Sequence, residues 1–255
     1  NIKYKKLAKK AHRIVDEIIE RRLKAPNNNQ DILNFLIKGE DEQGKNLSKE
    51  DLRHELITLL IAGNDTSALS LSWGLYELAQ SKNKEIQKNI HNELNLVLKN
   101  RSKVSLNDTE ELSYLNNVVS EILRLHPAVW LYTRQAKLTD VFNNITVKKG
   151  TTVLLCPYLM HRHDEFWEKP HIFNPERFNR GYHKYAYSPF AHGPRGCVGK
   201  GIGLMEINMA LATILNRFEF SLEGQDEVRP KAILNLYPEK NIVLNIKRKK
   251  EVHEN

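Results

Sequence analysis

The sequence predicts a mainly α-helical protein with a minor antiparallel β-sheet region. Three observations carry that prediction. Apolar residues recur at helical spacing over most of the chain up to Leu125, alternating patterns are confined to short stretches after it, and Pro, Gly and Asn punctuate the changes between them. A chain of 255 residues can hold one large domain or two small ones around a sizeable core. No apolar run reaches the length that spans a bilayer.

Residues 5–24 place Leu7, Ala11, Ile14, Val15, Ile18, Ile19 and Leu23 on one helical face, with the basic face left to water. This opening lacks the apolar stretch and cleavage site of a secretory leader. Pro26 and Asn27 to Asn29 end the helix, and a short helix is predicted over residues 31–37. Ser48 and Asp51 form a capping box that opens the longest helix, residues 49–80. A helix of ~30 residues spans about 45 Å, enough to cross a domain. In its middle lies AGNDTS, residues 62–67. Glycine there costs roughly 1 kcal/mol against alanine, and Asp65 and Thr66 are weak helix formers that compete for backbone bonds. Taken alone, Thr66 reads as a hydroxyl bonded back to a carbonyl.

Helical pattern resumes over residues 84–100 and 115–125, and His126-Pro127 stops the second of these. Glu121 and Arg124 lie three apart on its one face, a spacing worth only a few tenths of a kcal/mol when exposed. Alternation over 131–138 and 145–147, the turn Lys149-Gly150 and the apolar run 151–155 predict a small antiparallel sheet, with Cys156 a buried strand residue. His161 and His163, two apart, lack zinc-site spacing to a second cysteine. A long helix over 198–217 follows, then the strands FEFSL, ILNLY and NIVLNI around residues 238–241.

The net charge of +8 could serve nucleic acid, but the lysines are spread along helices and no aromatic-basic platform accompanies them. A face that docks an acidic electron donor is the better use of that charge, and Lys247 to Lys250 read as a solvated tail. Two cysteines build no disulfide framework.

The chemistry concentrates in SPFAHGPRGCVGKG, residues 188–201. Cys197 sits among Gly193, Pro194, Arg195, Gly196 and Gly199, where no apolar periodicity can bury it, at or just before a helix N-terminus that favours a thiolate. A thiolate is a nucleophile or a metal ligand. His192, five residues away, is the candidate partner for the first role. Gly193, Gly199 and Arg195 suit the second, since glycines let a flat macrocycle approach the backbone and a cation meets a carboxylate.

Phe190, Gly193, Arg195, Cys197 and Gly199 match the pattern F-x-x-G-x-R-x-C-x-G, which resembles the haem-binding loop of the cytochrome P450 monooxygenases. Further motifs follow the family's order: AGNDT resembles its distal-helix motif, SEILRLHP its Glu-x-x-Arg helix, and HDEFWEKP leading into NPERF its Pro-Glu-Arg-Phe segment. The resemblance implies the C-terminal part of the cytochrome P450 fold, with residues 1–255 a single haem-thiolate catalytic domain truncated at its N-terminus. It implies haem b (iron protoporphyrin IX), Cys197 as the axial ligand of its iron, Arg195 and Arg134 paired with propionates, and Phe190 packed on ring and sulfur. For Arg134, a plain surface arginine remains a rival, and His192 either touches a propionate or caps the loop. The resemblance further implies a helix that opens locally at 62–67, with Asp65 and Thr66 relaying protons, and a buried structural cluster of Glu121, Arg124 and Arg177. The implied reaction inserts one oxygen atom of O2 into a hydrophobic organic substrate. Its electrons come from a separate reductase or ferredoxin, because the chain shows no flavin or nicotinamide motif. Ile57, residues 60–62, 128–132 and Leu234 would line the substrate pocket. No nucleic acid is expected, and a membrane anchor is expected, if at all, in a missing N-terminal part, leaving cytosol and endoplasmic-reticulum membrane both open. A haem protein without turnover and a peroxide-driven or rearranging relative are the alternatives; the intact AGNDT argues against both.

Overall fold

The computed structural model describes residues 2–26, 29–40, 44–99, 101–224 and 227–249. Asn27, Asn28, Asn100 and Lys250, which the sequence reading assigned to a break, a helix end and the tail, lie outside the described residues. The chain clusters into two compact units, Asn1–Asp65 and Thr66–Asn255.

In the first unit, α1 (Ile2–Lys24), α2 (Ile32–Ile37) and the start of α3 (Lys49–Ala79) bury a small core of Val15, Ile19, Leu33 and Leu52. Val15 and Ile19 are four apart, so they share a face. The buried stripe is narrower than the apolar arc read from the sequence: Leu7, Ile14, Ile18 and Leu23 are exposed, and Ala8, His12, Asp16 and Arg22 flank the buried pair instead. Polar contacts fix that stripe. Arg53 Nε donates to Asp16 at 2.8 Å, and Arg22 grips Asp31 through both terminal nitrogens at 2.8 Å. Asp31 in turn caps α2 by accepting the Asn34 N–H at 2.9 Å, and the Arg22 bond with this cap holds its carboxyl down at about 2. The expected Ser48/Asp51 capping box is present at the head of α3, with each side chain accepting the other's backbone N–H. The helix then runs unbroken through residues 62–67, so the local opening expected there is not seen.

The second unit holds the main core. Here α4 (Lys84–Leu98) contributes Ile90, Leu94 and Leu98, α6 (Ser113–Leu125) contributes Leu115, Val118, Val119 and Ile122, and α8 (Lys200–Arg217) contributes Ile207, Leu211 and Leu215. These spacings of three and four put each set on one helical face, the arrangement that lets helices bury a common stripe. The far half of α3 adds Trp73 and Tyr76. The Trp73 indole stacks on His126 with centroids 4.2 Å apart and donates to Leu236 O at 2.9 Å. His126 donates through Nε2 to Glu77 at 2.8 Å while its Nδ1 is buried without a partner, and burial lowers the ring's pKa. α5 (Leu106–Glu111), absent from the sequence reading, starts at a Ser105/Asp108 capping box.

Among the described residues the named strands form four antiparallel pairs. β1 (Tyr132–Gln135) pairs with β4 (Thr152–Leu155), β2 (Asp140–Phe142) with β3 (Ile145–Val147), β5 (Phe218–Leu222) with β8 (Leu244–Arg248), and β6 (Pro230–Ala232) with β7 (Leu236–Pro238). The strand expected over 131–138 is therefore cut short, with Lys137, Leu138 and Thr139 between strands. Lys247 and Arg248 belong to β8 rather than to a loose tail, and Lys249 N–H donates to Arg217 O at 2.9 Å. Cys156 is half-buried and follows β4 as the cap of the one-turn α7 (Pro157–Met160), its thiol donating to Trp130 O at 3.3 Å.

Candidate active site

The cysteine loop hangs from one histidine. His161, fully buried, donates from Nδ1 to Arg124 O at 3.0 Å and accepts the Ser188 N–H on Nε2 at 2.9 Å. One nitrogen must donate and the other accept, so the ring is neutral, and burial pushes its pKa down to about 3. From Ser188 the backbone folds back on itself: Ala191 N–H donates to Ser188 O, Gly196 N–H to Gly193 O, and Cys197 N–H to Phe190 O at 2.9 Å. Gly193 has φ +80°, which suits only glycine at low cost. A Cβ on Gly196 would stand 3.2 Å from Gly193 O, a tight approach that favours a second glycine in the turn.

This fold leaves Cys197 exposed, two residues before the Gly199 that caps α8. The helix expected from residue 198 begins at Lys200. Apolar side chains stand bare around it: Val198 is 91% exposed, and Ile202 and Met205 on the first turns of α8 are also exposed. Phe190 is half-buried and packs on the main core. Arg195 is exposed, and its carbonyl accepts from Arg134 Nη2 at 3.4 Å; the Arg134 guanidinium also lies 4.9 Å from the Tyr132 ring. A side chain 61 residues earlier in sequence thus meets the backbone of the thiol's loop at Arg195. An exposed sulfur, bare aliphatic side chains after it in sequence and two arginines whose segments meet form a donor set that fits haem, whose flat apolar ring carries carboxylates at one edge.

Beneath the loop, the three residues expected to form a buried cluster do so. Arg124 donates to both Glu121 oxygens at 2.7 and 2.9 Å, and Arg177 Nε donates to Glu121 Oε1 at 3.0 Å. Glu121 and Arg124 are wholly buried. The remaining donors are used on backbone: Arg124 on the carbonyls of His161, Pro170 and Ile172, and Arg177 on those of Glu168 and Ile172. Trp167 lies 5.2 Å from the Arg124 guanidinium. Planar forks that meet a carboxylate and several carbonyls at once satisfy buried charge in a way lysine cannot.

Thr66 is half-buried on α3, and its carbonyl accepts the Ser70 hydroxyl at 2.9 Å. Asp65 is half-buried in the first unit. Ser67, the residue after Thr66, donates its hydroxyl to Glu206 Oε2 at 3.0 Å, which fastens α3 to α8. Sequence reasoning passed over Glu206, whose only signal is an acidic side chain nine residues after the cysteine. It also tested His161 for metal ligation and missed its backbone bonds, which no spacing rule announces. Among the segments expected to line a pocket, 128–132 meets the chain on either side of Leu234: Leu236 N–H donates to Ala128 O at 2.9 Å and Trp130 Nε1 to Ile233 O at 3.1 Å.

The comparisons with known proteins agree with this arrangement. The cytochrome P450 family model matches residues 1–248. Cytochrome P450 4V2 of Mus musculus is 36% identical over 88% of this chain and 44% of its own length, and that of Rattus norvegicus is 33% identical over 97% and 51%. A solved structure described as the cytochrome P450DA heme domain superposes with a TM-score of 0.87 at 27% identity, covering 94% of this chain and 53% of that one. The chain spans about half the length of the curated relatives it matches. With a family match over nearly all its residues and a cysteine loop of the matching pattern, the chain belongs to the cytochrome P450 family.

Proposed function

We propose that residues 1–255 form the haem-thiolate catalytic domain of a monooxygenase that inserts one oxygen atom of O2 into a hydrophobic organic substrate. The observation that carries this reading is the exposed Cys197 at the head of α8, flanked by bare aliphatic side chains and by the Arg134–Arg195 contact. Haem b, when bound, supplies dioxygen activation, to which a thiolate ligand contributes electron density that favours O–O cleavage. The chain's own residues do the rest. Cys197, exposed at the head of α8, would hold the haem iron through its sulfur. Arg195 and Arg134 would pair with the haem's carboxylates, and Phe190, Gly193 and Gly199 would seat its ring. The Thr66 hydroxyl would hold a proton near the bound group, and the Asp65 carboxyl would pass protons to it from solvent. Electrons come from a separate reductase or ferredoxin that docks on a basic face of this positively charged chain.

The test is spectroscopic. The reduced holoprotein under carbon monoxide is expected to show the red-shifted Soret band of a thiolate-ligated carbonyl, and Cys197→His to lack it. A normal band in that variant removes the ligand assignment.

A further inference from the structure

The two ring nitrogens of His161 face partners whose chemistry leaves no choice of tautomer. Arg124 O can only accept and the Ser188 N–H can only donate, so Nδ1 carries the proton and Nε2 offers its lone pair. The residue is 0% exposed. Two cations act on the ring: Arg124 on α6, and Arg162 just past α7, whose Nη2 donates to Leu125 O. The Glu121 carboxylate that could offset them is taken by Arg124 and Arg177. The Tyr187 ring lies 5.4 Å away, and burial pushes its phenol up, so it stays neutral. A proton added to Nε2 in the closed fold therefore meets burial, like charge and a donor where an acceptor is needed.

The loop beyond Ser188 has to be held. Ala191 sits at φ +55° and Gly193 at φ +80°, and a left-handed alanine persists only where its surroundings over-determine it. Ala191 N–H donates to Ser188 O at 3.2 Å, and Cys197 N–H returns to Phe190 O at 2.9 Å. Ser188, itself 8% exposed, is thus the point at which this strained turn is tied to the end of α6.

When that tether lifts, Nε2 is uncovered and can take a proton from solvent. The N–H···N bond is broken, an N–H bond forms on Nε2, and the cationic ring cannot accept from Ser188 again. In the open state the ring titrates near the ordinary histidine value of ~6.5, against about 3 when closed. Opening therefore becomes about tenfold easier for each pH unit below ~6.5, until the closed-state value is reached.

We propose that His161 is a proton-operated latch: the neutral ring ties Ser188 to α6 and so positions Cys197, and protonation at Nε2 frees the cysteine loop while the helical core stays folded. His161 acts through Ser188 and is a positioning residue. All the groups named lie in the second unit. Release of the loop depends on these residues alone; its consequence, loss of thiolate ligation, rests on the haem reading above.

The ferrous carbonyl holoprotein is jumped from pH 7 to values between 6 and 4, and loss of the thiolate-type Soret band is timed beside far-UV circular dichroism. The parent is compared with His161→Gln, whose amide keeps donor and acceptor but does not titrate. Expected is a parent rate that climbs about tenfold more per pH unit than the variant's, with helical signal retained as the band is lost. A merely structural histidine would shift the two rates by one constant factor at every pH. That parallel result overturns the proposal, as does helix loss in step with the band. Hydrogen exchange on the parent reads the latch without the variant. Between pH 6.5 and 4.5 the protection of the Ser188 amide, corrected for intrinsic rates, should fall about fiftyfold. Ser188 should also exchange faster than Val118 and Val119 of α6 throughout, because the opening is local. Constant protection at Ser188, or exchange there only as fast as in α6, overturns the latch. A parent without the thiolate-type band at pH 7 removes the ligand assignment by itself, and the exchange measurement then decides the latch.

Discussion

The Ser188 N–H donates to Nε2 of His161 at 2.9 Å, and through that ring the cysteine loop is joined to the backbone of Arg124. The folded ring is neutral because burial lowers its pKa to about 3, whereas a histidine in the unfolded chain titrates near 6.5. Below ~6.5 the unfolded state therefore binds the extra proton, and the stability present above that pH is lost as pH falls toward 3, at roughly 1.4 kcal/mol per pH unit. His161→Gln removes this dependence. Urea unfolding of the holoprotein at pH 7 and pH 5 should show the variant losing about 2 kcal/mol less than the parent between the two; identical losses would sink the assignment. His126, also lowered by burial, contributes equally to both proteins.

The Glu121 carboxylate, itself fully buried, is shared by the fully buried Arg124 guanidinium and by Arg177, whose side chain is 9% exposed. Glu121→Ala leaves Arg124 charged and uncompensated in the interior, and should cost about 3–5 kcal/mol with loss of haem retention. Arg177→Lys keeps the charge but cannot bond the carboxylate and the carbonyls of Glu168 and Ile172 together, and should cost about 1–3 kcal/mol. Thermal melts and retained haem absorbance check both.

Thr66 and Ser67 are adjacent on α3 and separable by experiment. Thr66→Ala should release peroxide and uncouple electron consumption from product. Glu206→Ala breaks the Ser67 bond at a site open to solvent and should cost at most about 0.5–1.5 kcal/mol, leaving the carbonyl band where it was. Unchanged coupling in the first variant would remove the proton-relay role.

Gly74 faces Ile122 across the α3–α6 contact, where an added Cβ would stand 2.7 Å from Ile122 Cδ1. Gly74→Ala should therefore destabilise the parent by about 1–3 kcal/mol through overpacking. In an Ile122→Val background, which lacks that methyl, the same change should gain up to about 1 kcal/mol of helix propensity. A double-mutant cycle on denaturant midpoints reads the difference, and additive effects would show that the contact does not set the cost.

The helices and the cysteine loop were legible because each is written locally. Ile90, Leu94 and Leu98 announce a buried face by spacing alone, and Gly193 announces a turn through its positive φ of +80°. Glu121, Arg124 and Arg177 were legible only through the motif, since spacing by itself gives a commonplace surface pair. What stayed hidden is written at long range. Nothing near His161 points to Ser188, nothing near Ser67 points to Glu206, and the apolar Leu7, Ile14 and Ile18 look like core until one sees that Val15 and Ile19 alone are covered. The short β6 and α5 failed for a different reason: three to six residues carry too little pattern to be distinguished from loop.

The bond from the Trp73 indole to Leu236 O joins positions 163 residues apart. At a translation rate of ~5–20 residues per second, the acceptor leaves the ribosome about 8–33 s after its donor. For that interval the nascent chain carries a large aromatic ring whose partner does not yet exist, so α3 cannot settle into its final packing before the last strands are made. Chaperone occupancy on ribosome-bound chains should accordingly persist at this helix until synthesis is nearly finished.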